Sequence, residues 1–286
     1  LDRFPEGTGL FMALEELQAV IQAGGVLVLS GAGMSTGSGI PDYRGPNGAY
    51  SRGHQPMTYQ DFLRNEDGRR RYWARSHVGW TRFSQAQPNA AHTAVAHMEQ
   101  GGFIDSVITQ NVDGLHQSAG SDRVIDLHGR LNRVICLSCG ALQDRSVIHE
   151  RLVEVNPDFS TYVERINPDG DYEIPDEQLV DFDIVSCLEC QGILKPDVVY
   201  FGESVPVERV SVAFELVNQS STLLVLGSSL MVYSGRRFVE HAHKNGKTVV
   251  IINQGETRCD HIADIRLDAD VVDVAPNLMD QIRSAC

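Results

Sequence analysis

Little in this chain would carry it to a membrane or to a nucleic acid. Across 286 residues, no apolar run approaches the ~18 residues that a membrane-spanning helix needs. The opening stretch, Leu1 to Glu6, has neither a basic n-region nor an apolar h-region, so no secretory leader is expected. Positive charge is scarce: 24 Lys and Arg stand against 38 Asp and Glu, a formal net charge of −14. Tight, non-specific binding to a phosphate backbone needs the opposite balance. The acidity mildly favours a cationic partner, such as a lysine-bearing peptide. Internal repeats and low-complexity tracts are also missing. What remains is an ordinary globular composition, 42% hydrophobic and 22% charged, long enough for one large domain or two ordinary ones.

Cysteine is sparse and oddly placed. Four of the six cysteines form two hooks, Cys136-x2-Cys139 and Cys187-x2-Cys190, with Cys259 and Cys286 apart. Each hook sets two thiolates on one side of an ion, which is zinc spacing. The 47 residues between the hooks exceed a compact ribbon and point to an insertion. The alternative is two reduced or redox-active pairs. A zinc ion with all four positions filled by sulfur has no place for water and is structural.

Short apolar runs recur at Val26 to Leu29, Ser106 to Thr109, Val124 to Leu127, Val198 to Phe201, Leu223 to Leu226 and Val249 to Ile252. They read as buried parallel strands. Amphipathic stretches at Gly9 to Ala23, Ala90 to Gln100, Val207 to Asn218 and Ser234 to Asn245 alternate with them. That rhythm predicts an α/β fold with a doubly wound parallel sheet. Residues 46–88 and 130–195 break it and are read as excursions that together build a smaller domain. Within the first, Arg69 to Arg75 is either a phosphate-binding patch or a solvated helix face.

In such a sheet, ligands bind beyond the carboxyl ends of the strands. Glycines and polar groups follow the runs there: Gly31-Ala32-Gly33, Gln110-Asn111-Val112-Asp113, His128-Gly129, Gly202-Glu203, Gly227-Ser228-Ser229 and Asn253. Gly31 and Gly33 allow a backbone to approach a pyrophosphate, or simply make a tight turn. The helix that usually follows is cut short by Gly37, Gly39 and Pro41, and the third fingerprint position holds Thr36. No acidic residue stands ~20 positions on to grip a ribose; Asn253 could take over that contact, or form a turn. His128, beside Gln110, Asn111 and Asp113, is suited to general-base work, or it caps a strand end.

Taken together, GAGMSTGSGIPDYRG (31–45), TQNVDGLH (109–116), LHG (127–129), the two hooks, KPDVVYFGE (195–203) and GSS (227–229) resemble one family in order: the sirtuins, NAD-dependent protein lysine deacylases. The likeness spans roughly residues 10 to 275. Arg71 to Arg75, Gln87 to Asn89, Pro168 to Asp171, Val232 to Gly235 and the long gap between hooks are similar to its class II branch, which holds a mitochondrial animal member and bacterial relatives.

The resemblance implies a Rossmann-like NAD-binding domain over residues 1–45, 88–130 and 196–286. It also implies an inserted smaller domain over 46–87 and 131–195, carrying the helical module and one structural zinc on Cys136, Cys139, Cys187 and Cys190. It implies that NAD is consumed: the bond between nicotinamide and ribose breaks, and the acyl group of a lysine passes to ADP-ribose. His128 would be the base, with Asn111 and Asp113 positioning the ribose and a water. Gly31, Ala32, Gly33, Ile40, Asp42, Tyr43, Arg44, Gln110, Gly227, Ser228, Ser229, Asn253 and Val272 would hold the rest of the cofactor. An acyl-lysine peptide would add as a strand between Val199, Phe201, Gly202, Glu203 and Val232, Tyr233. Tyr72-x-x-Arg75 matches the spacing that reads acidic acyl groups in desuccinylating sirtuins, though a helix-surface pair explains it equally. ADP-ribosyl transfer to a protein and cofactor sensing without turnover are the alternatives. A monomer is expected, without nucleic acid or membrane, in a bacterial-type cytoplasm or a mitochondrial matrix.

Overall fold

The computed structural model describes residues 8–45, 48–159, 167–172 and 174–284. Leu1 to Glu6 and Cys286, discussed above, lie outside them. The chain opens with helix α1 (Thr8–Gln22) and strand β1 (Val26–Ser30), buried at every position. Helices α2 (Tyr59–Arg64) and α3 (Glu66–Phe83) precede α4 (Ala90–Gln100) and β2 (Ile104–Thr109). A one-turn α5 (Leu115–Ser118) leads to β3 (Val124–Asp126) and β4 (Gly129–Cys136). Then come β5 (Leu142–Asp144), α6 (Arg145–Val155) and β6 (Leu194–Val198). The chain closes with α7 (Val207–Gln219), β7 (Thr222–Leu226), α8 (Tyr233–Lys244), β8 (Thr248–Ile252), β9 (Ile265–Leu267) and α9 (Val271–Ser284).

Six of the strands form one sheet in the order β3-β2-β1-β7-β8-β9, parallel throughout. The chain winds outward from β1 in one direction and returns through β7 in the other. The switch of direction therefore falls between β1 and β7, where the loops part and leave a crevice. One face of the sheet packs Leu17, Val95, Met98 and Leu278 against Val28, Leu224 and Val250. The opposite face packs Val217, Phe238 and Val239 against Leu29, Val225 and Ile251.

Five of the six expected strands take their places in this sheet. The run Val198 to Phe201 does not. Only its first residue, Val198, is in a strand, the end of β6, which pairs antiparallel with β4 in a second sheet ordered β5-β4-β6, and Phe201 makes a single bridge to Thr58. A short buried run looks the same in either kind of sheet, so periodicity could not separate them. The sixth parallel strand is the three-residue β9, too brief to leave a pattern.

The second sheet and α3 share a separate core, in which Phe62, Tyr72, Trp73, Ile148, Leu152 and Phe182 are buried. Arg145 lies inside it, 1% exposed, its guanidinium 5.1 Å from the Trp73 ring and 5.0 Å from the Trp80 ring. The basic helix face is divided by role. Arg70 pairs with Glu66 and Asp67 and reaches the Phe182 carbonyl at 3.0 Å.

Candidate functional site

After β1 the chain turns into a 3-10 helix, Ala32–Ser38, which ends at Gly39 with φ +81°. The glycines thus shorten the usual helix to two tight turns. Close approach explains two of them. Gly33 N–H donates to the Gly227 carbonyl at 2.9 Å, and a Cβ on Gly33 would stand 2.9 Å from the Gly227 Cα. Gly227 itself has φ +61°, a conformation that favours glycine. The turn is pinned from below by Asn89, whose amide donates to the Met34 carbonyl at 2.9 Å while its oxygen caps α4.

Above this turn lies a cavity of about 870 Å³, within the range of small-molecule sites. Its walls include Gly31, Ala32, Gly33, Ile40, Asp42, Tyr43, Arg44, Gln110, Asn111, Asp113, His128, Gly227, Ser228, Ser229 and Asn253. Val199, Phe201, Gly202, Glu203, Val232 and Tyr233 line it too. Residues from strand ends more than 200 positions apart thus meet in one space. Val272 stands apart from them, on α9 beside Gly37.

Polar groups on the cavity floor are linked. Asn111 Nδ2 donates to the Gly31 carbonyl at 2.9 Å and to Ser35 Oγ at 3.0 Å. Ser35 Oγ in turn donates to Asp113 at 2.7 Å, and the Leu115 N–H donates to the other Asp113 oxygen at 2.9 Å. Burial raises the Asp113 carboxyl above its usual range, and these hydrogen bonds oppose the rise. Gln110 joins the two halves of the sheet, its amide reaching the Ser30 carbonyl at 3.2 Å and Ser228 Oγ at 3.0 Å.

His128 follows β3. Its Nδ1 lies 2.8 Å from the Gln110 carbonyl, which can only accept, so the proton sits on Nδ1. Nε2 is left as the acceptor. Desolvation lowers the ring to about 4, with the Gln110 hydrogen bond opposing it and Arg237 and Arg209 adding to it. The imidazole is therefore neutral near pH 7, with its lone pair on one known nitrogen, Nε2.

On the opposite wall, the Phe201 carbonyl accepts from the Tyr59 N–H at 2.9 Å. Glu203 is committed to buried Lys195 at 3.0 Å and to the Tyr200 N–H at 2.9 Å. Met231 and Tyr233 face them from the other side, 42% and 59% exposed. Arg44 lies over the Tyr50 ring at 4.9 Å, and Asp42 caps the Gly45 N–H at 2.8 Å. Asn253 turns its amide nitrogen into its own loop, toward Gln254 and Gly255.

Several wall residues carried no site assignment from sequence: Ser35, Met57, Pro168, Asp169 and Ser234. Ser35 sits inside the glycine-rich motif and was in view. Pro168 and Asp169 arrive from the insertion between the hooks, where no local signal ties them to the crevice. Asp169 is held by His54 at 3.4 Å. Tyr72 reaches the cavity, whereas Arg75 turns away and donates to the Ile174 carbonyl at 3.0 Å.

The cysteine hooks meet at the far end of the small sheet. Gly140, at φ +74°, and Gln191, at φ +59°, bend the two knuckles. The four sulfurs lie within 4.8 Å of one another, with Cys136 3.5 Å from Cys190 and Cys139 3.8 Å from Cys187. A tetrahedron of thiolates around zinc, at ~2.3 Å per bond, has edges of about 3.8 Å. The donors fit that ion, and all four positions are protein.

This geometry has close counterparts. The Sir2 family model matches residues 31–234, from the glycine turn to the start of α8. NAD-dependent protein deacetylase 1 of Streptomyces coelicolor is 58% identical over 86% of this chain and 82% of its own length. The bovine mitochondrial protein named NAD-dependent protein lipoamidase sirtuin-4 is 43% identical over 94% of this chain and 89% of its own. A solved structure described as Sir2 with a p53 peptide and NAD+ superposes with a TM-score of 0.75 at 32% identity, over 94% of this chain and 98% of that one. With the motifs, the fold and the cavity in agreement over nearly its whole length, the chain belongs to the Sir2 family.

Proposed function

We infer that this protein is an NAD-dependent protein lysine deacylase, which moves the acyl group of an acyl-lysine side chain to ADP-ribose and releases nicotinamide. One observation carries the reading beyond the family. A neutral imidazole, its tautomer fixed by a carbonyl, shares a cavity with Asn111 and Asp113 at the topological switch point. Pure cofactor storage needs no base there.

NAD supplies the activated ribose and a leaving group. The chain's own residues do the rest. Gly31, Ala32 and Gly33 present backbone at the phosphates, where side chains would intrude. Ile40, Asp42 and Tyr43 close over the nicotinamide side, and Arg44 holds the phosphate side. Asn111 and Asp113, fixed through Ser35, orient the ribose hydroxyls. His128 takes a ribose hydroxyl proton on Nε2, which frees that oxygen to attack the acyl carbon. Gln110, Gly227, Ser228, Ser229 and Asn253 hold the remainder of the cofactor, and Val272 acts from outside by supporting the turn. The peptide pairs between Val199–Glu203 and Val232–Tyr233.

In this reading the Rossmann-like unit comprises 1–45, 88–130 and 196–286, and the inserted unit 46–87 and 131–195, with β6 straddling the second junction. The four cysteines would hold one structural zinc. One chain supplies every wall named above, which supports a monomer. Among the described residues no helix is long and apolar enough to cross a membrane. The relatives span bacteria and a protein named mitochondrial; we place this chain with the bacterial, cytoplasmic ones and within the class II branch. The test is whether nicotinamide release depends on an acylated lysine peptide. Release with the acylated peptide alone supports deacylation. Release that labels protein with ADP-ribose instead supports transfer, and no release supports a sensor.

A further inference from the structure

The acceptor nitrogen of His128 is already engaged. Ser234 Oγ lies 2.8 Å from Nε2, while Nδ1 donates to the Gln110 carbonyl. Since Nε2 carries no proton, the Ser234 hydroxyl is the donor. Ser234 is the second residue of α8 and lines the cavity. The next residue, Gly235, explains how the helix comes so near. A Cβ there would stand 2.4 Å from Gln110 Oε1, so any larger residue would have to displace the Gln110 side chain from the first turn of α8. The hydroxyl and the carbonyl therefore hold the imidazole from both ends, and neither nitrogen has a carboxylate partner.

A buried base of this kind has a difficulty. Once protonated, the imidazolium lies near Arg237 and Arg209, the latter paired with Asp197 at 3.2 Å, and among the described residues no carboxylate hydrogen-bonds to its ring. A hydroxyl resolves this because it can reverse: donor to the neutral ring, acceptor from the charged one, and the second bond is the stronger. We propose that Ser234 is a positioning residue for His128, holding Nε2 at the cavity wall in the resting state and accepting from the imidazolium after the ribose proton has moved. This rests on the deacylase reading. The balance is simple: the ribose O–H breaks, Nε2–H forms, and the Ser234 hydroxyl rotates without losing its proton.

The experiment compares wild type, S234A and S234T in the full chain. First, with 15N-labelled histidine and no substrate, the His128 Nε2 resonance at pH 7 is expected to move in S234A and to return in S234T. Second, in turnover of NAD with an acetyl-lysine peptide, S234A is expected to lower kcat about ten-fold, the scale of one lost hydrogen bond, with KM for NAD unchanged and kcat recovered in S234T. An unmoved resonance overturns the contact. A moved resonance with unchanged kcat overturns its role. If wild type itself releases no nicotinamide with acylated peptides, the deacylase reading falls and the role of Ser234 in it falls too, whatever the resonance does.

Discussion

Gly33 donates its backbone N–H to the Gly227 carbonyl across the point where the sheet changes direction. The two glycines approach so closely that neither tolerates a side chain: a Cβ on Gly227 would meet the Met34 nitrogen at 2.6 Å. This contact brings the ends of β1 and β7 together and leaves the phosphate side of the cavity lined by backbone. Gly227→Ala adds strain at a positive φ to that clash. It is expected to destabilise the fold by more than ~1 kcal/mol and to weaken NAD binding at least ten-fold, by chemical denaturation and calorimetry. Wild-type affinity in this variant would contradict the close-approach account.

His128→Ala is expected to abolish turnover while NAD still binds, measured by calorimetry on the free variant. The pH profile should carry the same signature. A base lowered to about 4 by burial is neutral and competent above that value, and is lost only as pH falls through it. The acid limb due to His128 therefore lies well below 6.5, the usual midpoint for histidine. Retained turnover in the variant, or a limb at 6.5 that vanishes with His128, contradicts the assignment.

Replacing Cys136 by Ser removes one of four thiolates whose spacing fits a tetrahedral ion. Elemental analysis is expected to show loss of zinc, together with a lower melting temperature. The site fixes the junction of β4 with the hook that precedes β6, so the small sheet should loosen before the parallel one. A variant that keeps one zinc per chain and its melting temperature would refute the four-sulfur site.

Stability should fall in mild acid for a reason separate from the site. His92 and His116 are 0% and 1% exposed, with rings 5.0 Å apart. Burial lowers them to about 4 and about 3. Between pH 6.5 and about 4 the unfolded chain binds protons at these positions and the folded chain does not. Unfolding free energy therefore drops as pH falls through that window, by up to about 2.7 kcal/mol per pH unit for the pair. Denaturation at pH 7 and pH 5 measures it. A H92Q variant should flatten the slope, and an unchanged slope would count against neutral burial.

Much of this architecture was legible. The turn at Gly31, the crevice loops at Gln110 to Asp113 and Gly227 to Ser229, and both cysteine hooks are local signals, because each needs particular residues at a fixed spacing. The rest depended on tertiary placement. The run at Val198 did not say which sheet it joins, and β9 was too short to show a period. Val272 is near the turn but off the wall. Tyr72 and Arg75, one helical turn apart, point to different places because Ile174 offers Arg75 a carbonyl. Ser234 could be found only through its distance to His128, 106 residues earlier.

The central claim is that the acyl group ends on ADP-ribose. Mass spectrometry of the protein with NAD and a panel of acyl-lysine peptides, from acetyl through long-chain to dicarboxylic, tests it in one measurement. The account predicts nicotinamide, the free lysine peptide and an acyl-ADP-ribose in equal amounts, with the relative rates naming the preferred acyl group. NAD consumed while every peptide stays acylated, or no NAD consumed at all, would contradict it.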